Sequence, residues 1–147
     1  MKSHRSRPFG ITIIAFLLFL SGILDLAVVI LGIFAIQAWH MRFGSPWAVV
    51  AGTTEIGEPM TFYSPDHPAP LTPGEVWSSG LTTLDEAKRL GFIGICDTTD
   101  NRLPECEAWM KENAPNAEQL VMTTRRFFKS HPGPSVAWKI FIQPPAK

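Results

Sequence analysis

The sequence predicts a single-pass membrane protein: one long N-terminal transmembrane α-helix, then a small exported α+β domain with a Pro-rich extended loop. Three observations carry that expectation. From Phe9 to Trp39 only Thr12, Ser21, Asp25 and Gln37 are clearly polar. Lys2, Arg5 and Arg7 precede this run, whereas only Arg42 closely follows it. The hundred or so residues after it are mostly polar and hold nine Lys+Arg against twelve Asp+Glu over positions 43–147.

The run divides the chain into four parts: a basic N-terminus over 1–8, a transmembrane signal anchor over 9–39, an interfacial segment and extended loop over 40–74, and an α+β domain over 75–147. A bilayer core of about 30 Å needs about 20 helical residues, and two crossings would need about twice that. A cleaved signal peptide has an apolar core of about 7–15 residues, half the length found here. Positive flanks stay in the cytoplasm, so the N-terminus is expected inside a bacterial inner membrane and the C-terminal domain outside it. Trp39, His40, Phe43 and Trp47 then fall at the outer interface, where amphipathic rings are favoured. The opening Arg7-Pro8-Phe9-Gly10-Ile11-Thr12-Ile13 resembles the first helix of several small bacterial multi-pass proteins, and no function follows from it.

Asp25 falls near the middle of the run, where insertion scales put a carboxylate at about +2.5 to +3.5 kcal/mol. Ser21, Gly22 and Gly32 share its side of a helical wheel. Small residues let helices approach closely and polar ones bond across the contact, so Ser21, Gly22, Asp25 and Gly32 read as a docking face for another membrane helix. The blander reading is a very apolar helix that tolerates one Asp. The span contains no histidine to ligate a pigment, so any pigment or lipid would be met by contact.

In the exported part, Pro59, Pro65, Pro68, Pro70 and Pro73 read as an extended, polyproline-like loop over 59–74. Thr83 with Glu86 forms a capping box for a helix ending at Gly91. Phe92–Cys96 is a short apolar run that reads as a buried strand. Pro104 suits the first turn of a helix to Asn113, and Asn116 opens a third helix to about Lys129. Val136–Gln143 alternates as a strand with Val136, Trp138, Ile140 and Ile142 on one side. Trp47–Ala51 and Thr61–Tyr63 are weaker strand candidates. Cys96 and Cys106, ten apart, read as a disulfide in an exported domain, against two free thiols in a cytoplasmic one.

Zero net charge argues against nucleic acid. No haem-attachment, phosphate-loop, nucleophile-elbow or zinc-protease motif is present, and Asp97, Asp100, Asn101 and Glu105 do not follow the EF-hand spacing. No catalytic residue, metal ligand or cofactor is therefore assigned, and a small-molecule substrate is not expected. Arg125, Arg126 and Lys129, interleaved with Phe127 and Phe128, offer contact with anionic headgroups, or else complement a helix C-terminus. The expected function is a non-catalytic accessory subunit of a larger membrane complex, of photosynthetic or respiratory type, with other membrane subunits and the bilayer as partners. The alternative is a free-standing anchored domain that binds a ligand or cell-wall component outside the membrane.

Overall fold

The computed structural model describes residues 26–73, 82–128 and 131–146. These form four helices and a mixed five-stranded sheet of order β2-β1-β3-β5-β4. In chain order they are α1 (Leu26–His40), β1 (Val49–Ala51), α2 (Thr54–Tyr63), β2 (Ala69–Leu71), α3 (Leu84–Leu90), β3 (Phe92–Asp97), α4 (Leu103–Asn113), β4 (Glu118–Phe128) and β5 (His131–Gln143).

The largest correction concerns the apolar run. Among the described residues no helix is long and apolar enough to cross a membrane. The described part of the run is the 15-residue α1, which lies on the sheet. Val28, Leu31, Ala35, Ala38 and Trp39 recur at helical spacing and are buried against Val50, Ile93, Ile95, Trp138 and Ile140. A helix apolar on all sides reads alike whether it fills a domain core or a bilayer, and here the sheet supplies the cover. Ser21, Gly22 and Asp25 lie outside the described residues. Gly32 does make a close helix contact, but with this chain's own α2: a β-carbon there would come within 2.9 Å of the Met60 sulfur.

Two of the rings expected at an interface lie within this chain's own core. Trp39 and Trp47 are fully buried, and each satisfies its indole N–H locally, Trp39 donating to Ser45 O at 3.0 Å and Trp47 to Val49 O at 2.7 Å. Phe43 packs on Trp39 at a tilt, with ring centroids 4.5 Å apart. His40 is exposed, its Nε2 2.6 Å from Asp66 Oδ2.

Two strand periodicities split the sheet's residues between two cores. Ile93 and Ile95 of β3, with Val136, Trp138, Ile140 and Ile142 of β5, face α1 and α2, as the alternation predicts. Phe92 and Cys96 of β3, with Val49, Ala51 and Phe141, face α3 and α4. β1 pairs in parallel with β2 and with β3, whereas β5 is antiparallel to both β3 and β4.

The Pro-rich stretch is not a continuous extended loop. Pro59 lies inside α2 and Pro70 inside β2. Pro59 has no N–H to give the helix ladder, which leaves one carbonyl a turn earlier without its usual donor. Pro70 is tolerated because β2 is an edge strand. Thr61–Tyr63 accordingly belongs to α2 rather than to a strand.

The helix expected over 116–129 is β4 instead. The i,i+7 spacing of its apolar residues permits a helix, but the run Val121-Met122-Thr123-Thr124 suits a pleated surface and β5 supplies a full antiparallel partner. The other expected elements appear. Thr83 Oγ1 accepts from Glu86 N at 3.2 Å, and Gly91 closes α3 with φ +77°. A side chain at Gly91 would be strained twice, by that φ and by Trp39 and the Pro145 backbone within 3 Å. Cys96 and Cys106 are disulfide-bonded, their Cα atoms 5.9 Å apart.

Candidate functional site

The connections out of β1 and β3 leave the sheet on opposite sides. β1 runs through Gly52 and Thr53 into α2, on the face that carries α1. β3 runs through the 98–102 loop into α4, on the other face. Adjacent parallel strands whose exits diverge leave a crevice at their carboxyl ends, where open α/β sheets bind ligands. Such a crevice is present, with a volume of about 650 Å³.

One wall comes from the first turns of α2. Thr53 has an extended backbone at the N-cap, and Glu55 and Glu58 follow on the helix. The opposite wall is the loop after β3, where Asp97 Oδ1 accepts from both the N–H and the hydroxyl of Thr99, each at 2.7 Å. Asp100 Oδ1 accepts from Arg102 N at 2.8 Å, and the Arg102 guanidinium donates to Asp100 Oδ2 at 2.9 Å and to Glu55 Oε2 at 3.3 Å. Arg102 thus ties the two walls together. Phe62 and Tyr63, both exposed, also line the crevice, with Val28, Ile56, Pro59 and Trp138. A smaller pocket of about 250 Å³ adjoins it, bordered by Thr72, Glu105, Cys106 and Trp109, with Arg102 between the two.

Four carboxylates, of Glu55, Glu58, Asp97 and Asp100, line this crevice together with the Arg102 guanidinium, which pairs with Asp100 on its own wall and with Glu55 on the other. Glu55 is held below the usual carboxylate range first by its own backbone N–H at the start of α2, with Thr53 and Arg102 adding to the effect. Asp100 is held low by the side chain and then the backbone of Arg102. Arg102 is in turn pushed above its ordinary value, chiefly by Asp100. Groups tuned this way keep a fixed charge near neutral pH. A general acid or base needs the opposite tuning, toward the working pH.

Of the residues singled out in the sequence, Asp97 and Asp100 line this crevice and Glu105 and Cys106 the smaller pocket, whereas the basic cluster lies elsewhere. Arg125 is exposed on β4, on the hairpin formed with β5, while the side chains of Arg126 and Lys129 lie outside the described ones. Glu107 pairs with Lys139 on β5. His67 takes a positive φ of 48° and uses its ring nitrogen on Thr61 O at 2.8 Å. Among the described residues no group of three or more His, Cys, Asp or Glu is placed to hold a metal ion. Glu55, Glu58, Phe62, Tyr63 and Arg102 were not singled out. The apolar Val49-Val50-Ala51 followed by Gly52-Thr53-Thr54-Glu55 is a strand, turn and helix N-terminus, but Pro59 argued for a loop.

Comparison with protein-family models, with curated proteins and with solved structures returns no match. The functional reading therefore rests on the site itself.

Proposed function

We propose that this chain is a non-catalytic binding module that takes a small organic cation, an alkylammonium or guanidinium compound, in the crevice beyond β1 and β3. The observation that carries the proposal is the lining: four carboxylates and the exposed rings of Phe62 and Tyr63 around one space of about 650 Å³, against a single guanidinium. Carboxylates gathered along one cleft focus their field on a cation that enters it. An aromatic face beside them adds about 0.5–2 kcal/mol of cation–π attraction. The crevice volume suits a small ligand, since such sites run to about 300–1,000 Å³. The Cys96–Cys106 bridge supports work in an oxidising compartment, where it persists. The accessory-subunit reading leaned on docking by a membrane-crossing helix, and the described residues hold none.

Calorimetric titration of the full chain with agmatine, which carries both an ammonium and a guanidinium, tests the proposal, with succinate as the anionic control. Saturable agmatine binding that weakens with added salt is expected, and none for succinate. Replacing Glu58→Gln together with Tyr63→Ala should weaken agmatine by roughly tenfold, the loss of about 1.4 kcal/mol. Absence of saturable agmatine binding at low salt would overturn it.

A further inference from the structure

The crevice and the smaller pocket lie on opposite sides of the same strand ends. The crevice opens on the side of α2 and the pocket on the side of α4, and Thr53 and Arg102 border both. Gly52 N donates to Leu71 O at 3.1 Å, which holds the end of β1 to that of β2 where Thr72 leaves the sheet. We propose that the two spaces form one site, and that its ligand is a hydroxyaryl-alkylamine. The ammonium lies in the crevice and the ring in the pocket, its hydroxyl on Thr72. This rests on the cation reading above and names what the other end of that cation carries.

Thr72 is the observation that points to a ligand in the pocket. The residue lines it and is only 8% exposed, yet among the described residues its hydroxyl has no hydrogen-bond partner. A hydroxyl buried without a partner is costly, and nearly all such groups in folded proteins are bonded. A ligand hydroxyl that reaches Thr72 supplies the missing bond.

The walls select a ring to carry it. Trp109 presents its indole to the pocket and is backed by Phe92, the ring centroids 6.0 Å apart and tilted. Pro73 and Cys106, the latter bonded to Cys96, add apolar surface. An aromatic ring packs well against another in offset or edge-to-face geometry. A cavity of about 150 Å³ is enough to hold benzene, and this pocket has about 250 Å³. Charge argues against a second ammonium at this end. Arg102 stands on the shared border with a permanent positive charge. Glu105, the one carboxylate among the described lining residues, is exposed, where water and salt screen it. A neutral ring meets no such repulsion.

Calorimetric titration of the full chain with ethylamine, phenethylamine, tyramine and agmatine tests the proposal. Phenethylamine should bind roughly tenfold or more tightly than ethylamine, the gain from burying a ring. Tyramine should gain a further factor of roughly three to ten from one neutral hydrogen bond. Thr72→Val keeps a similar shape and removes the hydroxyl. It should bring tyramine to within about twofold of phenethylamine and leave phenethylamine itself unchanged, as an intact pocket requires. Agmatine binding without any preference for phenethylamine over ethylamine would overturn this proposal and leave the cation reading standing. So would a tyramine preference that survives Thr72→Val in full. Failure of agmatine and all three amines to bind would overturn both.

Discussion

Asp66 fastens the corner where α1 turns back toward the sheet. Its Oδ2 accepts from Trp47 N at 2.7 Å and lies 2.6 Å from His40 Nε2. Partial burial works against its ionisation, but these two bonds outweigh that and hold its carboxyl below the usual range. Glu55 and Asp100 are lowered as well, by the start of α2 and by Arg102. A carboxyl depressed in the folded state binds its proton more readily when unfolded. It contributes stability in full above the unfolded pKa, about 3.9–4.3, and loses it as pH falls through the lower folded value. The melting temperature should therefore be level from neutrality to about pH 5 and fall below about pH 4. Asp66→Asn should cost about 1–3 kcal/mol at pH 7, the scale of a charged hydrogen bond, and its deficit should shrink as the acid limb is descended. Melting curves of both proteins across pH check this. An Asp66→Asn deficit as large at pH 3 as at pH 7 would contradict it.

At the scale of elements, the Cys96–Cys106 bridge ties the end of β3 to the first turns of α4 and closes the loop that carries Asp97, Asp100 and Arg102. Closing about ten residues stabilises by roughly 2.5–3 kcal/mol in the chain-entropy model. The Cys96→Ser/Cys106→Ser double variant should lose that amount in chemical denaturation and bind agmatine less well, because the crevice wall is no longer fixed. The unreduced chain should expose no alkylatable thiol, even when denatured. The elements with strong local signals were legible: the Thr83–Glu86 cap, Gly91, the apolar β3, Pro104 at the start of α4, and the alternation of β5. Two others were not, for separate reasons. α2 hid behind Pro59, whose cost within a helix is met by its packing of Ile56 and Met60 onto the sheet. β4 hid behind a helical spacing of apolar residues that only pairing with β5 overrides, a contact distant in sequence. The crevice depends on both α2 and the divergence of the strand exits, so its residues could not be grouped from sequence alone.

For the whole molecule, the decisive matter is what covers α1. Hydropathy reads residues 9–39 as one span, but from Leu26 onward the helix has a sheet to lie on, and a turn with Phe43 packed on Trp39 follows it before β1. That placement makes one face of the sheet a core, and lets α2 stand beside α1 and leave the crevice open at its N-terminal end. The same placement puts Ala35 beneath the helix, fully buried, and Ile33 on its outer side at 52% exposure. A measurement of thiol reactivity at these two positions tests the account most directly. Ile33→Cys and Ala35→Cys would each be treated, in the full chain in its native setting, with a water-soluble maleimide. Packing on the sheet predicts that Ile33→Cys is labelled promptly, whereas Ala35→Cys is protected by roughly a hundredfold or more until the protein is denatured. If both positions were shielded alike from the aqueous reagent, α1 would be surrounded on every side, and its role as one layer of this fold would be contradicted.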